Sequence, residues 1–308
     1  MTTPASLDLP DLSNKQDIKS AGFWQTTLRR LLKHPVGRIG AIIILILVIM
    51  AAFGPLLSPY DPNAIDFDNR FSPPTLAHPF GTDDFGRDTI SRVLYGARIS
   101  LMVGVIAVSI AGILGTSLGL IAGYYTSRRW VDEAIMRAMD ILFAFPAILL
   151  AIAILAALGK GIANAMIAIG LVYTPIFARI ARGAVLSVRS EEYVMAAQAL
   201  GTRNSAILLR HILPNSLAPL IVETSLSLAF AILAEAALSF FGLGTQPPDP
   251  SWGRMLSEGR AYFQQSIWMA LFPGLAIMFS VMGFNFLGDG LRDALDPKMK
   301  HMLEKQGR

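Results

Sequence analysis

Two carboxylates stand inside one long apolar run. Glu223 and Glu235 both fall within LAPLIVETSLSLAFAILAEAALSFFGLG, residues 217–244. A charged side chain in hydrocarbon costs at least ~2.5 kcal/mol on insertion scales, so each must meet protein or water. Two chemistries suit such groups: a proton site, or a counter-ion for a cationic group. Against both stands a buried acid satisfied within the protein. Twelve residues on a helix amount to about 120° of rotation, so the two do not share one face. Nothing else in the chain gathers into a reactive set. His34, His78, His211 and His301 are scattered, and no HExxH occurs. Gly159-Lys160 is followed by Gly161, not by the Ser or Thr that closes a phosphate-binding loop. There is no cysteine, which excludes disulfides, iron–sulfur clusters and thiolate zinc sites. The expectation is a chain with no catalytic residues, no metal and no cofactor.

The elements that must position these carboxylates are apolar helices. Of 308 residues, 53% are hydrophobic and 16% charged, and mean hydropathy is +0.51. A soluble domain averages ~25% charged residues. A helix needs ~20 mostly apolar residues to cross a bilayer. Six windows qualify: 36–57, 98–125, 140–159, 162–180, 217–244 and 268–288. The predicted fold is all-α, with six transmembrane helices. The apolar core of the first window exceeds a signal-peptide h-region and reads as a retained anchor. Gly115, Gly119 and Gly123 recur every fourth residue, the spacing that lets helix backbones approach. Pro146 and Pro175 remove helix hydrogen bonds and should kink their spans.

Lysine and arginine are distributed unevenly. The tail before the first window, the second-to-third loop, the fourth-to-fifth loop and the C-terminal tail, with Arg38 and Arg179 at the window edges, hold nineteen of the 26. By the positive-inside rule these segments are cytoplasmic, with both termini inside. The chain then divides into a cytoplasmic tail and interfacial helix (1–35), the first span (36–57), an extracytoplasmic loop with an elbow (58–97), a five-span core (98–289) and a cytoplasmic tail (290–308). Within the core lies a cytoplasmic loop, 181–216. Residues 1–20 lack periodicity and read as a floppy tail. Phe23, Trp24, Leu28, Leu31 and Leu32 give the next helix an apolar side facing lipid.

The loop 181–216 is polar, basic and broken by glycine. Tyr193, Ala196, Ala197 and Leu200 recur at helical spacing. Gly201 suits a left-handed C′ position, and Asn204 or Ser205 could cap a second short helix. Ile207, Leu208, His211 and Ile212 give that helix an apolar side, and Pro214 ends it. On these residues alone the segment is either a linker lying on headgroups, held by Arg203 and Arg210, or a docking surface for a soluble partner.

The segment YVMAAQALGTRNSAILLRHILPN (193–215) resembles the EAA motif of permease subunits in bacterial ABC importers. Ala196, Ala197, Gly201, Leu213 and Pro214 match it; Met195 and His211 depart from it. HPFGTDDFGRDTISRVLYGARISL (78–101), ILAEAALSFFGLGTQPPDPSWGRML (232–256) and FNFLGDGLRDALDPKMK (284–300) resemble segments of the dipeptide/oligopeptide permeases of the C type. The resemblance spans most of residues 23–300. It implies a type I importer permease in the bacterial inner membrane, surrounded by lipid. Its implied partners are a homologous second permease, two cytoplasmic ATPases and an extracytoplasmic peptide-binding protein, with no nucleic acid. It implies that the helix carrying Tyr193, Ala196, Ala197, Leu200 and Gly201, with Arg203, Leu213 and Pro214 behind it, couples ATP hydrolysis in other subunits to the spans. It leaves Glu223 and Glu235 as candidates for the translocation path. Alternative cargoes in the same branch are glutathione or a nickel chelate. A rival reading is an ion-driven secondary carrier, with the two glutamates as proton sites. Asp83, Asp84, Arg87 and Asp88 are expected in an outer elbow with local salt bridges, and Asn285 and Asp289 as helix-end and interhelical bonding groups.

Overall fold

Ser, Asp and His side chains fix where several helices begin, and glycines fix where they cross. The computed structural model of the chain describes residues 23–126 and 129–295. Expectations for residues 1–22, Arg128 and the tail from 296 fall outside the described residues. In chain order the helices are α1 (Phe23–Lys33), α2 (Pro35–Leu57), α3 (Thr89–Tyr124), α4 (Arg129–Phe143), α5 (Ala147–Leu158), α6 (Ile162–Arg189) and α7 (Glu192–Ala199). Then follow α8 (Asn204–Ala206), a π-helical turn (Ile207–Ile212), α9 (Leu213–Asn215), α10 (Leu217–Phe240), α11 (Trp252–Ala261) and α12 (Trp268–Leu295). No strand is present among the described residues. α2, α3, α6, α10 and α12 are each long and apolar enough to cross a membrane.

The third window is not one straight span. α4 and α5 bend by 96° across Ala144–Pro146. Pro146 has no N–H to continue the ladder and sits at the N-cap of α5 with extended ψ, so the chain restarts in a new direction. The kink expected at Pro146 is therefore a full break. At Pro175, by contrast, α6 continues as one helix from Ile162 to Arg189.

α3 and α6 form the most extensive helix pair. Gly115, Gly119 and Gly123 lie along their seam. A Cβ on Gly115 would stand 2.5 Å from the Thr174 carbonyl oxygen, and one on Gly123 2.8 Å from Val185 Cβ. On Gly119 it would overlap the Ala178 carbonyl oxygen. The four-residue spacing thus serves close backbone packing, as the sequence suggested. The core beside this seam holds Val103, Ala107, Ala111, Ile169, Phe177 and Ala181, all buried.

α3 begins at Thr89, nine residues before the window read from hydropathy. Asp88 caps it, accepting from the Ser91 N–H (2.9 Å) and the Ser91 hydroxyl (2.6 Å). The preceding elbow is an irregular loop with one 3-10 turn, Phe67–Asn69. Asp83, Asp84, Arg87 and Asp88 are buried in it, whereas Asp66, Asp68 and Arg70 are exposed. Asp83 accepts from the Arg87 guanidinium at 2.6 Å and lies 3.6 Å from Arg92, which is 1% exposed. Glu258 of α11 lies 3.5 Å from both arginines and 2.8 Å from Arg254. The Trp252 indole donates to the Val93 carbonyl at 3.0 Å. The outer loop, α11 and the start of α3 are joined by charge and by one buried aromatic.

α2 lies at the edge. Its crossing with α12 is tight at one end, where Gly37 meets Gly290 and Gly40 meets the Phe286–Leu287 backbone. α1 folds back there: Leu31 is buried, Arg30 donates to the Ala294 carbonyl at 3.4 Å, and Leu28 and Leu32 remain exposed.

Candidate functional site

α7 is eight residues long, too short to be stable alone. Its C-terminus explains why it holds its shape. Gly201 has φ +76°, the left-handed region that favours glycine. The Gly201 N–H donates to Gln198 O and the Thr202 N–H to Ala197 O, the two bonds of a Schellman cap. The chain then turns into α8. Arg203, not Asn204 or Ser205, occupies the N-cap position, and no side chain caps that helix. Asn204 Oδ1 instead accepts from the Tyr124 hydroxyl at 2.8 Å, which ties the turn to the end of α3.

Beyond α8 the backbone widens to i→i+5 pairing over Ile207–Ile212, with the Leu213 N–H donating to Leu208 O. That pairing turns Ile207 and Ile212, five residues apart, into one cluster with Leu120, Tyr124, Val185 and Val194. Both isoleucines and Val194 are buried. Pro214 does not end the segment; it sits in the first turn of α9, where its missing N–H is not needed.

The predicted stripe of α7 does not face this cluster as a whole. Tyr193, Met195 and Ala196 are exposed, and Leu200 is 86% exposed, while Ala197 and Leu213 are partly buried against the cluster. Arg203 and Pro214 are exposed. The elbow is therefore a rigid piece: its back is locked by Val194, Ile207 and Ile212, and its front offers small and apolar side chains with none of the described residues over them.

Next to the elbow, α4 is fastened to α6. Arg182 donates to both oxygens of Asp132, at 2.6 and 2.7 Å. Arg179 donates to Asp140 at 2.7 Å and lies over the Phe143 ring at 4.2 Å. Arg189 donates to the Thr126 hydroxyl and stands 5.8 Å from the Tyr124 ring centre. These three arginines count toward the positive-inside rule, and here each also holds a neighbouring element.

The two glutamates of α10 have different surroundings. Glu235 is 1% exposed. It accepts from the Ser100 hydroxyl of α3 (3.1 Å) and from Ser239 one turn on (2.7 Å). Ser239 in turn accepts from the Thr245 N–H at 3.1 Å. This carboxylate joins α3, α10 and the outer loop. Glu223 is half-buried and, among the described residues, accepts within its own helix from Ser227 at 2.8 Å. The structure does not bring the two together. No group of three or more His, Cys, Asp or Glu residues able to hold a metal occurs among the described residues.

The sequence profile described as "Binding-protein-dependent transport system inner membrane component" matches residues 115–301. The chain belongs to that family. A second profile, the N-terminal TM domain of oligopeptide transport permease C, matches residues 22–74 of this inner membrane component. Among its relatives is a dipeptide transport system permease protein of Alkalihalophilus pseudofirmus, 53% identical over 90% of each chain. A putative peptide transport system permease protein of Brucella abortus is 46% identical, covering 97% of this chain and 98% of the relative. A glutathione transport system permease protein of Escherichia coli is 47% identical, over 90% and 91%. An inward-facing structure of the MetNI methionine ABC transporter has the same fold: TM-score 0.55 at 16% identity, covering 66% of this chain and 96% of that one. This inner membrane component is thus a multi-pass inner membrane protein and a permease subunit with the type I importer fold.

Val194 of the elbow and Tyr124 at the end of α3 escaped the sequence reading, and Asn204 was read only as a helix cap. Val194 lies off the predicted stripe but is its buried anchor. Tyr124 and Asn204 bond across 80 positions. The periodicity of α7 is too short to say which side a larger protein will cover. The one usable signal was Val194 as a β-branched residue between exposed neighbours, and it points to burial without naming the partner.

Proposed function

We propose that this permease subunit works in an ATP-driven importer of small peptides, beside a homologous second permease, with two ATPases on the side of its basic loops and a peptide-binding protein opposite. The observation that carries the reading is the α7 elbow, locked behind and open in front. A lever that transmits force needs both properties: rigid attachment to long helices, and a free face for the part that pushes. The α6–α7 junction and the Tyr124–Asn204 bond attach the elbow to α6 and α3, two spans that share the glycine seam. Closure of two ATPases would push Ala196, Ala197 and Leu200 and shift the spans between two states. The termini and the elbow would then lie in the cytoplasm, as the placement of lysine and arginine requires.

Cargo follows the relatives. The dipeptide and peptide permeases at 53% and 46% identity favour peptides; the glutathione permease at 47% keeps a glutathione importer as the second reading. The enclosed Glu235 favours the satisfied acid over a path group, and Glu223 is the remaining candidate for the path.

The test is site-directed cross-linking. A cysteine at Ala196 or Leu200, in the assembled transporter, is expected to join an ATP-hydrolysing subunit, with a yield that changes when nucleotide is added. Cross-links to no such subunit from either position would overturn the reading. Uptake into vesicles driven by an ion gradient without any ATPase would replace it with the carrier.

A further inference from the structure

α2 is pinned near both ends by glycine contacts, and its inner face is anchored by the buried Leu47. At one end Gly37 and Gly40 press on α12; at the other, Gly54 lies against the Leu94 backbone of α3. Ile43 and Ile44 still pack on Gly283 of α12; beyond that contact, alongside Phe272–Phe279, the outward side of α2 leaves a groove of ≈ 460 Å³. Ile43, Ile46 and Met50 form one wall, and Phe272, Ala276 and Phe279 the other. No polar atom contributes to its lining. By volume it has room for on the order of fifteen waters at ~30 Å³ each, yet it gives them no partner, and an apolar cavity without partners stays dry. Its size falls in the range of ligand pockets, about 300–1,000 Å³.

The rim shows how it lies relative to a bilayer. Phe80 stacks on Phe272 at 3.8 Å and 3°, and Trp268 stacks on Phe272 at 6.0 Å and 24°. Tryptophan is enriched at the membrane–water boundary, which puts the Trp268 end of the groove there. Ile46 and Phe279 are both exposed, so the groove opens sideways, between two spans, into the hydrocarbon. A slot between spans, wholly apolar, roofed by aromatic rings and open to the acyl region, matches the shape and chemistry of one extended acyl chain.

We propose that this groove is a binding site for one acyl chain of a membrane phospholipid, which enters beneath the Phe80–Phe272–Trp268 roof and packs α2 to α12. The chain fills what the glycine crossing leaves open. Its retention comes from packing on both sides, which a lipid at an open helix surface does not have.

The test uses the assembled transporter in vesicles of phosphatidylethanolamine and phosphatidylglycerol, with a phosphatidylethanolamine carrying a diazirine on one acyl chain. After irradiation, labelled peptides are located by mass spectrometry. Expected is a labelling yield at Met50 and Phe279 roughly tenfold above that at Leu45, which is 58% exposed on the same helix. Ala276→Trp, and separately Met50→Trp, should abolish the preference and leave Leu45 unchanged; two variants on opposite walls guard against one that fails to fold. Equal labelling at Leu45 and in the groove would show only ordinary surrounding lipid and sink the proposal. So would efficient disulfide cross-linking of Met50→Cys or Phe279→Cys to a cysteine placed on a span of another subunit.

Discussion

α2 and α6 are opposite kinds of span. α2 is the most apolar of the five single-helix spans, and only 17% of its apolar window is buried; α6 is the least apolar, and half of its window is buried. In a soluble protein the order would be reversed. Here the solvent is hydrocarbon, so apolar side chains gain nothing by leaving it. What must be enclosed is the polar and the small, Thr174 and the glycines opposite. The arginines that end α6 stay at least partly exposed and are held by hydrogen bonds to Asp140, Asp132 and Thr126. α2 is held by a few glycine contacts and one end of α1, and it carries the exposed Leu45, Val48 and Ile49. The difference shows that burial in this chain follows backbone approach and polar pairing, not hydropathy.

Substitutions on the two helices and their neighbours break or sharpen that contrast. The largest effect is expected at the α3–α6 seam. Gly119→Leu puts a side chain into the Ala178 backbone and should cost about 3 kcal/mol or more, seen as loss of folded transporter in a thermal unfolding assay. Gly112→Ala, whose Cβ would stand 3.7 Å from Phe177, should be tolerated. If both behave alike, close packing is not what holds the pair.

Glu235→Leu comes next. It leaves the Ser100 and Ser239 hydroxyls without their acceptor, at a cost of about 2 kcal/mol in stability. Glu235→Gln keeps an acceptor and should transport peptide normally, whereas Glu223→Gln should lower uptake without changing thermal stability. The reverse pattern would put Glu235 in the path.

Arg182→Ala removes both bonds to Asp132 and loosens α4 on α6, leaving Arg179–Asp140 in place, for about 1.5 kcal/mol. Arg182→Lys should recover less than half of this, because a single ammonium does not reproduce two parallel bonds.

The charged outer loop gives a smaller, pH-dependent effect. Burial, then the neighbouring Asp83, raises the Asp84 carboxyl above its ordinary value, with Arg87 opposing. The folded chain therefore holds this proton longer than the unfolded chain does. Its favourable contribution is fully present below the ordinary value of 3.8 and is lost as pH rises through the raised one. Asp84→Asn should unfold at a slightly higher temperature than the parent near neutrality and at the same temperature in acid. A gap that widens on acidification would reverse the assignment. The smallest effect belongs to α2: Leu45→Ala on its exposed face should change stability by less than about 0.5 kcal/mol.

How much of this was visible in the chain can be read from particular residues. Gly201 announced a left-handed turn, because one glycine after an apolar helical period has few other uses. Gly115, Gly119 and Gly123 announced a close crossing, because their spacing repeats once per turn. The break at Pro146 was visible as a proline but not as a 96° corner, since Pro175 disrupts its own helix far less. The fate of Glu235 was not visible at all. Ser100 is 135 residues away, and no local pattern connects them.

The sequence by itself determined six apolar segments, a basic side, a glycine-ended elbow and a family likeness, because each depends on neighbours within a few turns or on charge summed over a loop. Only the tertiary structure decided which carboxylate is enclosed, which arginine holds which acid, which face of α7 is left open, and where α2 parts from α12. Those outcomes depend on how helices cross, and a crossing is set by contacts between residues far apart in the chain.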